Sequence, residues 1–79
     1  MFEPWKKEPV RFERGDRVWV VHEPISGLGQ YGTVLEDHGF IGIRVVYEWE
    51  TEPSAFVLIE RSRVLAERPE GALEVGQRA

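Results

Sequence analysis

Apolar and polar positions alternate through the middle of the chain, and each alternating run starts close to a glycine. Gly15-Asp16 reads as a turn that feeds a first strand over residues 17–22, with Val18 and Val20 on one face and Trp19 and Val21 on the other. Pro24, Gly27 and Gly29 interrupt the pattern, which predicts a loop over 23–31. A second strand is expected over 33–37, with His38-Gly39 as a tight hairpin turn in which glycine supplies positive φ. The third and longest strand spans 40–47. Ile41, Ile43, Val45 and Tyr47 share one of its faces, and Phe40, Gly42, Arg44 and Val46 the other. Gly42 within this run marks a bulge or sharp bend, the means by which a small sheet folds over on itself. An acidic loop over 48–53, a fourth strand over 54–59, a short 3-10 turn over 60–62 and a last short strand over 63–66 complete the pattern.

The ends differ from the middle. Pro4 and Pro9, set among mixed charges, make residues 1–11 an extended arm rather than a helix, because proline removes a donor and restrains the residue before it. Residues 68–79, with Pro69, Gly71 and Gly76, sustain no period and read as a flexible C-terminal tail. The expected fold is therefore all-β, a barrel of about five short antiparallel strands over 12–67. A chain of 79 residues makes one domain with a small core. Trp19 is expected either beneath the arm or exposed to a partner, since one face of so small a sheet is normally solvated.

Composition removes several classes of function. No apolar run approaches the length needed to cross a bilayer, and the first residues lack the apolar segment of a secretory signal, so a cytoplasmic protein is expected. With no cysteine there is no disulfide framework, thiolate zinc site or cysteine nucleophile. The net charge is −4, unevenly spread: Lys6, Lys7, Arg11, Arg14 and Arg17 stand at the front, Arg61 and Arg63 near the back, and only Arg44 between 18 and 60. Glu23, Glu36, Asp37, Glu48, Glu50, Glu52 and Glu60 make that central region acidic.

Gly15, Val18, Val20, Gly32, Thr33 and Val34 resemble the glycine and valine framework of KOW-type domains, and the whole of 12–66 resembles an SH3-like barrel. That resemblance implies a binding domain, of protein or of nucleic acid. RNA-binding KOW-type members carry basic loop residues, whereas 23–30 has none. Related frameworks occur in the PsaE subunit of photosystem I, in CAP-Gly domains and in the type II dihydrofolate reductases. The last build their pore from Val-Gln-Ile-Tyr, for which Val57-Leu58-Ile59-Glu60 is no substitute, and the CAP-Gly loop needs an asparagine that this chain lacks. Fold alone does not choose among such functions.

Motifs for catalysis are few. The run 27–34 satisfies a dinucleotide fingerprint as text, but Gly32-Thr33-Val34-Leu35 continues as strand where that motif needs a helix N-terminus. His22 and His38 have no metal-ligand spacing, and no carboxylate pair or serine triad stands out, so no enzyme, cofactor or metal is expected. What remains is a binding surface. Trp19, Tyr31 and Trp49, joined by the alternating Glu48, Glu50 and Glu52, are expected to engage a basic or extended protein partner as a non-enzymatic module, an inhibitor or an assembly factor. Phe40 and Tyr47 are expected close to them, with the Tyr47 ring in the core. One alternative is a KOW-like RNA- or DNA-binding domain using Lys6, Lys7, Arg11, Arg14, Arg17, Arg61 and Arg63, disfavoured by the acidic barrel. Another is a structural subunit of a homo-oligomer.

Overall fold

β-Branched residues at alternate positions give strands whose two sides differ, and the strands of this chain sort most of their valines and isoleucines to one side. The structure, a computed structural model, describes residues 11–52 and 54–75. Five strands form one curled antiparallel sheet, a half-barrel: β1 (Arg17–Val21), β2 (Gly29–Asp37), β3 (Ile43–Tyr47), β4 (Val57–Ile59) and β5 (Val64–Leu65), in the order β4-β3-β2-β1-β5. The first four are a meander. A 3-10 turn over Arg61–Arg63 then carries the chain to the free edge of β1. No helix among the described residues is long and apolar enough to cross a membrane.

Val18, Val20, Val34, Ile43, Val45, Ile59 and Val64, with Phe12 from the segment before β1, form the main core, to which every strand contributes. Tyr47 and Val57 pack against it partly buried. The opposite face of β1 holds a second cluster of Trp19, Val21 and Ala72, flanked by Tyr31 and Leu65.

The boundaries of three strands depart clearly from the expected ones, the fourth strand being confined to Val57–Ile59 rather than 54–59. β2 begins at Gly29 rather than at 33, so Gly29 and Gly32 pair with Val21 and Val18 and open no helix. The third strand is shorter than expected. Phe40 and Ile41 belong to a 3-10 turn over Gly39–Ile41, and both are exposed. The Asp37 carboxylate accepts the Gly39 N–H at 2.8 Å, the His38 N–H donates to the Gly42 carbonyl at 2.9 Å, and Gly42 adopts φ +134°. That φ is open to glycine, and the strand starts only after it, at Ile43, three residues later than the apolar run begins. A Cβ at Gly42 would lie 2.6 Å from the Ile59 carbonyl oxygen, so the same glycine lets β4 approach. The register also slips between Val34 and Glu36, a bulge that adds to the curl.

Candidate functional site

Trp19 is fully buried, at 0% exposure, which takes it off the surface where a partner was expected. Among the described residues its cover comes from the C-terminal segment. Gly29 N–H donates to Leu73 O at 3.1 Å and Val75 N–H to Gly29 O at 2.7 Å, forming a parallel bridge between Gly29 and Glu74. This lays residues 68–75 across the sheet. The Arg68 guanidinium stands 4.8 Å from the Trp19 ring, Ala72 fills the space beside it, and Trp19 Nε1–H donates to Gly27 O at 3.1 Å. The segment expected to be a tail thus packs as far as Val75. Its backbone bonds supply what a periodic pattern would otherwise have announced.

Tyr31 meets the Trp19 ring edge-on at 4.9 Å and carries the Arg17 guanidinium 3.7 Å above its other side. Arg17 in turn grips Glu48 with two parallel bonds, Nε to Oε2 at 2.7 Å and Nη2 to Oε1 at 3.0 Å. Two residues assigned to opposing surfaces, one basic and one acidic, therefore neutralise each other across the sheet, in a pair that stays open to solvent and its screening. Glu50 is also engaged: its Oε1 accepts the N–H groups of Thr51 at 3.1 Å and Glu52 at 3.2 Å, while Glu50 N–H donates to Tyr47 O at 3.0 Å. The loop folds as a turn, so Glu48, Glu50 and Glu52 do not line one side of an extended segment. Glu52 is exposed.

Trp49 is 66% exposed and stacks on Tyr47, with ring centroids 5.9 Å apart and planes 13° from parallel. Tyr47 continues the row to His22, 5.7 Å away. His22 follows Val18 and Val20 on the same face of β1, a placement that becomes visible only once the pairing of Gly32 with both Val18 and Tyr47 is known. Burial, then the nearby Arg63 charge, lowers the His22 pKa; burial raises that of Tyr47, against the opposing pull of Arg63. Arg63 is itself anchored by Nε donating to Val21 O at 2.7 Å. The aromatics thus form two groups rather than one: Trp19 with Tyr31, and His22, Tyr47 and Trp49 in a row. Phe40 belongs to neither.

Phe40 instead edges a cavity of about 390 Å³ at the opposite end of the β2–β3 ladder, lined also by Arg11, Phe12, Arg14, Leu35, Glu36, Asp37, Gly39 and Arg61. Asp37 is the hub of its wall. It accepts the N–H groups of Phe12 at 3.0 Å and Gly39 at 2.8 Å, and Arg61 donates to it through Nη2 and to Gly39 O through Nε. Burial pushes the Asp37 carboxyl up, but the bonds from Arg61, Phe12 and Gly39 outweigh it and hold the group at about 2. The basic residues expected to converge therefore divide. Arg11, Arg14 and Arg61 gather at this cavity, Arg17 and Arg63 are committed elsewhere, and Lys6 and Lys7 lie outside the described residues, as does most of the expected arm.

Among the described residues no group of three or more His, Asp or Glu side chains is placed to hold a metal ion. His38 Nε2 lies 3.4 Å from Glu36 Oε2 without the alignment of a hydrogen bond. None of the protein families, curated proteins or solved structures compared with this chain matches it.

Proposed function

We propose that this chain is a non-enzymatic protein-binding module of the SH3-like type, and that its contact surface is the row of His22, Tyr47 and Trp49 with the exposed Glu52 of the loop that carries Trp49. The observation that carries the reading is the exposed indole of Trp49 held flat on Tyr47, a ridge whose lower ring is fixed by the core. An extended peptide loses little entropy when it lays proline or aliphatic side chains across such rings, and a basic residue next to them meets Glu52. Glu48 serves β1 through Arg17 and Glu50 serves its own turn, so their carboxylates already have donors. The absence of cysteine suits a reducing, cytoplasmic setting.

The test is an amide NMR titration of the full chain with two proline-rich peptides of equal length, one carrying arginine and one neutral. Shifts confined to residues 20–24 and 46–52, stronger with the arginine peptide and lost in Trp49→Ala, are the expected result. Shifts elsewhere, or none with either peptide, refute the assignment. A second reading, a KOW-like nucleic-acid-binding domain, draws support from the gathering of Arg11, Arg14 and Arg61 at one cavity.

A further inference from the structure

The cavity beside Phe40 combines an exposed ring on a pinned turn, a concave apolar wall and an excess of positive charge. Its volume of about 390 Å³ falls within the range of small-ligand sites. Phe12 and Leu35 supply apolar wall, and Phe40 stands at the rim with its whole side chain in solvent. The ring sits on a turn whose backbone is pinned from two sides, by Gly39 N–H on Asp37 and by Arg61 on Gly39 O. The turn thus fixes where the ring stands at the rim.

The charges around it are unequal. Three guanidinium groups, those of Arg11, Arg14 and Arg61, face two carboxylates, Asp37 and Glu36. Asp37 is turned to its three protein donors, and Glu36 directs Oε2 toward His38. Arg11 and Arg14 form no ion pair among the described residues. Planar forks of donors match the oxygens of a phosphate better than they match a single carboxylate when more than one fork converges. A ring beside such forks selects a flat group carrying that phosphate.

We propose that this cavity binds a nucleotide, its base stacked on Phe40 and its phosphate held by Arg11 and Arg14, with Arg61 behind them as part of the wall. The proposal does not depend on the Trp49 surface. A free nucleotide and one nucleotide of a single strand offer the same chemistry; the strand would give the nucleic-acid reading its contact point.

The experiment is an amide NMR titration of the full-length chain, at low and physiological salt, with adenosine 5′-monophosphate, adenosine, inorganic phosphate and a hexaadenylate. Binding of the monophosphate is expected to shift Phe12, Leu35, Gly39 and Phe40 and to be at least about tenfold tighter than that of adenosine or phosphate alone. Phe40→Ala, at a site with no packing to lose, is expected to weaken it about tenfold, and Arg14→Glu to weaken it at least as much. A hexaadenylate that binds much more tightly and fades steeply with salt assigns the site to a strand, whereas equal affinity assigns it to the free nucleotide. Phosphate binding as well as the monophosphate, an inert Phe40→Ala, or no shifts around the cavity would overturn the proposal.

Discussion

Arg61 and Asp37, 24 residues apart in sequence, form an ion pair that joins the two 3-10 turns at one end of the sheet. The carboxylate also holds the segment before β1 through Phe12 N–H, so one side chain gathers three stretches of chain where the half-barrel is open. Its folded pKa, about 2, is below its ordinary value of 3.8. The pair's contribution is therefore complete above the unfolded value and is lost as pH falls toward 2. Chemical denaturation between pH 5 and 2 is expected to show stability declining through that window, with the decline reduced in Asp37→Asn. Asp37→Ala at neutral pH is expected to cost about 2 kcal/mol, because three donors lose their acceptor. An unchanged acid limb in Asp37→Asn would remove the pair from this role.

Burial of Trp19 by the C-terminal segment gives a second prediction. Ala72 is enclosed against the indole, and a carboxylate placed there must be accommodated in space that a methyl group fills, with the nearby Arg68 guanidinium already donating to the Ala72 carbonyl oxygen. Ala72→Asp is expected to cost about 2–3 kcal/mol in urea unfolding and to free the amides of Gly29 and Val75 to hydrogen exchange. Protection retained at both amides would mean that the segment holds without Ala72.

Gly42 is required twice over, by its positive φ and by the nearness of the Ile59 carbonyl oxygen. Gly42→Ala is expected to destabilise the fold by about 2 kcal/mol or more, whereas the same change at exposed Gly15, where a Cβ meets nothing within 4 Å, is expected to cost only its backbone strain, about 1 kcal/mol. Equal losses at the two positions would show that crowding against β4 contributes nothing.

The main core was legible because its signal is local. Val18, Val20, Val34, Ile43 and Val45 alternate within single strands, and alternation alone assigns them to one face. Phe40 and Ile41 misled for the same reason: they extend the apolar run in period, yet a glycine conformation and an Asp37 hydrogen bond from outside the run decide against strand. Trp19 was harder still. Its cover is built from Arg68, Ala72 and backbone groups of a segment without periodicity, joined to it only by long-range bonds. The bonding of Glu48 and Glu50 was not legible, because charge counts do not reveal pairing. Glu48 finds Arg17 only across the paired strands, and Glu50 finds its own turn.

Trp49 and Tyr47 stack on one another, yet their substitution is expected to have unequal consequences. The Trp49 indole is largely solvated and rests on its neighbour by one face, while the Tyr47 ring packs against the main core. Trp49→Ala then forfeits one aromatic contact, about 1 kcal/mol, and Tyr47→Ala empties part of the core wall at a cost of about 3 kcal/mol. Denaturant unfolding of both variants measures the difference. It also decides how a loss of peptide binding is to be interpreted. A Trp49→Ala protein that unfolds within about 1 kcal/mol of the parent and no longer binds has lost a contact surface. One that unfolds as readily as Tyr47→Ala has lost its fold, and the ridge would then be structural.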